Sequence, residues 1–393
     1  MKVNKDSGPA GVRLGTIEKP LKAHGIVQIP VRHHKGLWFL PVSINGKDPV
    51  ELIVDSGAQS SGVTLEVAAK SGFAGTKERR GVMGSSGAPV DFSTFEAESL
   101  AVGPLVLRNL VVSLLRLEGL GGEEGVTVAG MLGYNFLARV VVALDYAAAT
   151  VAVEDSEGFQ APSSAFSLDL DLSRRVPAFR GTIHGQEVKL ALDTGNSGPL
   201  VLAKKAAERL GIPQQGAATI ETDLEGIGGR ELALMTRISS LRVVDKDYPG
   251  VLVAVQRGGQ DNLTRFGLDG VLGRSFLRRF TVILDYPHEK IWLIPGEKVW
   301  QPEAADKSGM ELRVRGNEIV LTRLHPGSSA EEAGLKVGDA VLSVGGIVAT
   351  ASALHSIEEL LAGPAGGAVA VQYKRGGREG RATFLLTEIL SCE

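Results

Sequence analysis

Residues 130–146 read GMLGYNFLARVVVALDY and residues 270–286 read GVLGRSFLRRFTVILDY; ten of the seventeen aligned positions are identical. The two stretches lie 140 residues apart, and a second pair of motifs repeats at nearly the same distance. An apolar strand runs into a glycine turn in VELIVDSGAQSSGVTL around Asp55, and again in VKLALDTGNSGPLVL around Asp193, 138 residues on. Within each copy the aspartate precedes the glycine of the other motif by 78 residues (Asp55 to Gly133) or by 80 (Asp193 to Gly273). Two motifs in one order at one spacing describe a duplicated unit, and such self-similarity decides how the rest of the chain is read.

Each copy reads as β-rich. LWFLPVSING and PVELIVDSG make two short strands joined at Asn45-Gly46, a strong hairpin signal, and AFRGTIHGQEVKLALDTG repeats it around His184-Gly185. Each copy ends with a short helical segment (YNFLARV, RSFLRRF), a strand closing on Leu-Asp-Tyr and a return strand (TVAVED, KIWLIPG). The polar EDSEGFQAPSSAFS connects the copies, and EKVWQPEAADKS reads as a linker to a third unit. That unit has strands broken by glycine turns and one helix, where Leu354, Ile357, Leu360 and Leu361 fall at helical spacing. The expected parts are an N-terminal arm (1–24), a first lobe (25–158), a second lobe (165–296) and a C-terminal unit (306–390).

Composition narrows the function. A chain of 393 residues exceeds what a single core usually serves. With 42 Lys and Arg against 45 Asp and Glu, the net charge of −3 argues against binding nucleic acid or anionic membrane through a bulk positive field. One cysteine, Cys392, allows neither an intrachain disulfide nor a cysteine-ligated zinc site, and it reads as a bystander. No run reaches the ~18 apolar residues of a membrane span, and the first twenty residues lack the apolar core of a secretory leader. His33 and His34 project to opposite faces of a strand, so no metal pair and no cofactor are expected. Lys204-Lys205 and Arg278-Arg279 read as solvated faces.

Asp-(Ser/Thr)-Gly alone is a weak signal, and Asp6-Ser7-Gly8, with no apolar strand before it, carries no function. Asp55 and Asp193 differ, because each ends an apolar strand and starts a glycine turn, which holds a carboxylate where it is poorly solvated. If the copies pack about a pseudo-twofold axis, the two turns meet there. Adjacent carboxylates then share one proton, so one can activate a water while the other hydrogen-bonds a scissile carbonyl. Ser56 and Thr194 can lock the loops from hydroxyl to opposite backbone, and Gly57 and Gly195 permit the close approach. Asp145 and Asp285 are duplicated too, but without a glycine loop they read as turn residues.

The Asp-Ser-Gly-Ala and Asp-Thr-Gly loops, with Met131-Leu132-Gly133 and Val271-Leu272-Gly273, resemble the retropepsin-like aspartic proteases over residues 25–296, with both lobes fused in one chain. The resemblance implies a mainly β, bilobal pair of acid-protease barrels, a polypeptide substrate, no cofactor and, since one chain carries both lobes, a monomer. It implies Asp55 and Asp193 as catalytic, Ser56, Gly57, Ala58, Thr194, Gly195 and Asn196 as active-site loops, and Gly81–Gly87 and Gly226–Gly229 as flaps, with Met83, Gly84, Ile227 and Gly228 as flap residues. Asn196 stands where that family usually has Ala or Ser, and it could accept a substrate hydrogen bond.

HPGSSAEEAGLKVGDAVLSVGG, with its Pro-Gly-Ser turn, Ala333-Gly334-Leu335 and Gly338-Asp339, resembles the PDZ domains attached to bacterial proteases, an α+β fold over residues 306–390. That resemblance implies a peptide or C-terminal tail as partner. Backbone N–H groups at Gly309 and Met310 would receive its carboxylate, and the strand through Leu312 would take it by β-addition beside the helix that begins near Leu354. Proteases linked to such domains are often exported, so a periplasmic or secreted location is implied. A non-catalytic scaffold that holds peptides in the same cleft and groove is the alternative.

Overall fold

The structure, a computed structural model, describes residues 14, 16–19, 25–34, 36–73, 77–81, 90–115, 127–227, 229–258 and 262–391. Each copy closes six strands into a barrel. In the first, Leu105–Leu115 pairs in turn with Gly62–Thr64, Gly130–Leu132, Val50–Val54, Leu37–Ile44 and Val90–Val102, which returns to Leu105–Leu115. In the second, Lys246–Gln256 pairs in turn with Leu200–Leu202, Gly270–Leu272, Gln186–Leu192, Ala178–Ile183 and Gly229–Val243, which closes the ring. The first hairpin of each barrel turns on two residues with positive φ, Asn45 and Gly46 (51° and 68°) or His184 and Gly185 (49° and 74°). This is the primed geometry that matches strand twist.

The barrels are joined by a third sheet to which each copy gives three strands. Its order is Val27–Ile29, Thr150–Glu154, Val141–Asp145, Phe280–Asp285, Lys290–Pro295 and Phe166–Asp169. The two Leu-Asp-Tyr strands meet at its centre, antiparallel, with Val142 opposite Leu284 and Leu144 opposite Val282. Leu144, Val142, Val282 and Leu284 are all fully buried, and one apolar core runs through both lobes.

The C-terminal unit is a separate sheet of Met310–Arg315, Glu318–Leu324, Ala340–Val344, Ile347–Val348, Ala368–Arg375 and Arg378–Leu385. The helix Leu354–Leu361 turns Leu354, Ile357 and Leu361 into that unit's own core.

The structure adds to two expectations and corrects a third. Part of the arm is structural, because Thr16–Lys19 pairs with Leu105–Leu115 and places Ile17 opposite Leu107. The linker is packed: Val299, Glu303 and Ala305 are buried, and Trp300 stacks on Tyr248 at 5.3 Å. Arg279 is no solvated cation. It is 5% exposed, donates to the carbonyls of Val299 and Pro249, and lies 3.6 Å from the Glu303 carboxylate. Burying a charge requires such partners, and the linker supplies them.

Candidate active site

The site begins with how each aspartate is presented. Val50–Val54 and Gly130–Leu132 run parallel, so the N–H of Asp55 donates to the Leu132 carbonyl at 3.0 Å. Gln186–Leu192 and Gly270–Leu272 repeat the pairing, and Asp193 N–H donates to Leu272 at the same 3.0 Å. Each apolar-Leu-Gly motif is therefore the backbone clamp of the aspartate in its own copy. Next, the N–H of Tyr134 donates to Ala58 and that of Arg274 to Asn196, again in equivalent positions.

Across the axis the loops are locked reciprocally. Ser56 Oγ donates to the Leu192 carbonyl at 2.8 Å and accepts from Thr194 N–H at 2.9 Å. Thr194 Oγ1 donates to the Val54 carbonyl at 2.7 Å and accepts from Ser56 N–H at 3.0 Å. Both hydroxyl residues are fully buried, so all four bonds form away from water, where an unmade one would be expensive. A Cβ on Gly57 would lie 2.6 Å from Cγ of Asp193, and one on Gly195 would lie 2.6 Å from Cγ of Asp55. Only glycine fits at either point.

The two carboxyl groups therefore face each other across the axis, each against the glycine of the opposite loop. Burial first, and then the adjacent Asp193 carboxylate, push Asp55 well above the usual carboxylate range. Burial also raises Asp193, while the N–H of Gly195, at 2.8 Å from Oδ1, restrains it. Both groups are thus pushed toward the protonated form. Asp55 Oδ1 is buried with no hydrogen-bond partner among the described residues. Below the dyad, Tyr286 donates to the Ser56 carbonyl at 3.0 Å, and burial raises its hydroxyl well above its ordinary range.

The aspartyl protease family model matches residues 40–136 and, a second time, residues 179–276. This chain belongs to the aspartyl protease family. A PDZ domain model matches residues 320–375. A crystal structure of a retropepsin-like aspartic protease from Rickettsia conorii is similar over 33% of this chain and 89% of that one, at 19% identity and a TM-score of 0.26. No curated protein sequence matches.

In this aspartyl protease family member, a hairpin of the second lobe reaches across to the first beside the Asp55 loop. The hairpin of Ile220–Gly226 and the start of Gly229–Val243 carries Ile227 at its tip. Ile227 packs with Ala58 against the first lobe's inner cluster of Leu37, Phe39, Ile53, Leu115, Val128 and Met131. Met83, Gly84 and Gly228 lie outside the described residues. Asn196 is turned inward: its Oδ1 accepts from Gly198 N–H at 2.9 Å and its Nδ2 donates to Pro199 at 3.1 Å, so it braces its own loop. The following Ser-Gly gave a local signal for this, since Asn bonds its own backbone two residues on.

The remaining sequence candidates have structural surroundings. Asp145 Oδ1 accepts from the N–H groups of Ala147 and Ala148, and Asp285 accepts from Trp292 Nε1 and contacts His288 Nδ1. His33 lies 4.2 Å from the Trp38 ring, and burial pushes it down to about 4. Among the described residues no three His, Cys, Asp or Glu side chains gather as a metal site.

In the PDZ domain the donors assigned to a peptide carboxylate are already taken. Gly309 N–H donates to Asp306 Oδ2 at 2.6 Å, and Met310 N–H donates to Ser308 Oγ at 3.1 Å. An internal carboxylate three residues upstream fills that role. Met310, Leu312 and Leu354 are all buried in the domain's core.

Proposed function

We propose that the chain is an aspartic endopeptidase in which Asp55 and Asp193 together activate one water for attack on a peptide carbonyl. The reading is supported above all by the meeting of two half-buried carboxyl groups, each held by an equivalent backbone clamp and each lying against the glycine of the opposite loop. The ionised carboxylate takes a proton from water as its oxygen bonds to the carbonyl carbon, while the protonated carboxyl donates to the carbonyl oxygen. Collapse of the tetrahedral species breaks the C–N bond, and the proton gained from water passes to the leaving amine. The hairpin ending at Ile227 covers the cleft and excludes solvent, which strengthens each of these interactions.

The PDZ domain would recruit substrate along Met310–Arg315, a strand paired on one side only among the described residues. With the Gly309 and Met310 donors engaged, an internal extended segment suits that edge better than a free C terminus.

The test is incubation with a denatured protein from pH 3 to 8. Asp55→Asn and Asp193→Asn should each lower cleavage by about 10³-fold or more, and a statine-type mimic should block it. Retention of ligand without cleavage at any pH would instead support a peptide-binding scaffold. A substrate peptide amidated at its C terminus should be cleaved as well as the free acid; a strong preference for the acid would refute the internal-segment reading.

A further inference from the structure

The hairpin that ends at Ile227 is held along its length by residues outside its own lobe. At its base, Ile220 and Met235 face each other and pack against Leu252, Ala305 and Leu390. Ala305 belongs to the linker before the PDZ domain and Leu390 to the tail after it. Arg237, on the same strand as Met235 and 4% exposed, donates through Nη1 to the Glu303 carbonyl at 2.7 Å and through Nε to the Leu390 carbonyl at 2.9 Å. Halfway up, Asp223 accepts from Arg323 Nη2 at 3.0 Å. Arg323 lies in the PDZ strand Glu318–Leu324 and is fixed from behind by Glu311 Oε2 at 2.6 Å. Glu311 also holds Arg313, so the cation facing the hairpin belongs to a network within the PDZ sheet.

Ile227 lies four positions beyond Asp223, about 13 Å of extended chain. Leu224, next to Asp223, packs on the second lobe's inner cluster, and Ile227 reaches the first lobe beside Ala58. The segment that spans the cleft therefore starts at the Arg323–Asp223 contact.

We infer that the PDZ domain is a positioning element for the second flap: through Arg323 on Asp223, and through the linker and tail at the hairpin's base, it sets the closed position of Ile227 over the dyad. This rests on reading the cleft as a protease site. Asp223 and Arg323 act through the hairpin and touch no reacting atom. A domain placed in this way alters substrate binding even when nothing occupies its own peptide edge.

The test uses the full chain and two measurements, hydrogen exchange of the hairpin amides and steady-state cleavage of an extended peptide. Asp223→Ala removes the side-chain tie from the hairpin side, leaving only the longer bond from Arg323 Nη1 to the Glu221 carbonyl at 3.5 Å, and keeps the PDZ network intact. It should speed exchange over residues 220–235 and raise KM, each by about fivefold, with kcat changed by less than about twofold. Asp223→Glu, which keeps the charge, should restore both. Leu390→Ala should speed exchange at Ile220 and Met235. Should that variant lose its fold, Asp223→Ala, at a partly exposed site, still decides. Exchange and KM unaltered by Asp223→Ala in a chain that cleaves would overturn the inference. If the unchanged chain does not cleave, exchange alone decides: faster exchange upholds the positioning role and places the failure on the protease reading, and unaltered exchange overturns the role.

Discussion

The two lobes differ least where they meet and most where they face a substrate. At the axis the aspartate clamps have equal lengths, and the hydroxyl lock is reciprocal bond for bond. Two residues before Asp55, Ile53 lies in register with Phe39 and Met131; two residues before Asp193, Ala191 lies in register with Ala178 and Val271. Leu263 and Leu268, with Phe266 beside them, fill the second lobe's cluster. Among the described residues the second lobe's hairpin is tied to the PDZ domain by hydrogen bonds, whereas the first lobe meets it through the His34 and His355 rings, 6.3 Å apart. Under the proposed mechanism, chemistry performed jointly demands equality, whereas walls and covers on either side of the scissile bond can diverge.

Breaking the lock tests that equality most severely. Ser56→Ala and Thr194→Val each leave one buried N–H and one buried carbonyl unpaired, a loss of about 4 kcal/mol in either case. Urea midpoints should agree for the two variants to within about 1 kcal/mol. A gap twice that size would show that one lobe carries the junction.

A pH-dependent anchor should belong to the second lobe alone. Burial pushes Glu303 up to about 7 despite nearby Arg279, the Leu252 N–H, Arg278 and Arg237. The fold therefore favours its neutral form. The stability this confers is present below the ordinary value of 4.5 and is lost as pH rises through about 7. The loss amounts to about 3 kcal/mol. Glu303→Gln should flatten the stability profile over that window. The same slope in variant and parent would remove Glu303 as its cause.

The walls give the smallest effect. Ile53→Ala should admit larger side chains on the first-lobe side of the cleft, and Ala191→Ile should exclude them on the other. Each change should shift kcat/KM between small and large side chains by about tenfold. Preferences moving on the same side of the scissile bond in both variants would contradict the assignment of one wall to each lobe.

Much of this was legible in the chain. The repeated Asp loops and apolar-Leu-Gly motifs marked the clamp, Asn45-Gly46 and His184-Gly185 marked the hairpins, and Leu354, Ile357 and Leu361 marked the PDZ helix. The joining sheet was not legible as such. The Leu-Asp-Tyr strands were visible as a repeat, but nothing local states that Val142 pairs with Leu284 rather than with a neighbour from its own copy. Arg279 and Glu303 were misread for a related reason: two charged residues 24 positions apart look solvated until packing buries them together. The Asp306 contact, by contrast, is local. A carboxylate two and three residues before backbone donors is an Asx-type turn, and the sequence carried that signal.

The central antiparallel strand pair has a consequence for how such a molecule behaves and changes over time. Both halves are on one polypeptide, so dilution cannot separate the two aspartate loops. A site assembled from two identical subunits must carry every substitution twice, once on each side of the scissile bond. Here Phe39 can be bulky while Ala178 stays small, and each half can change its contacts independently of the other.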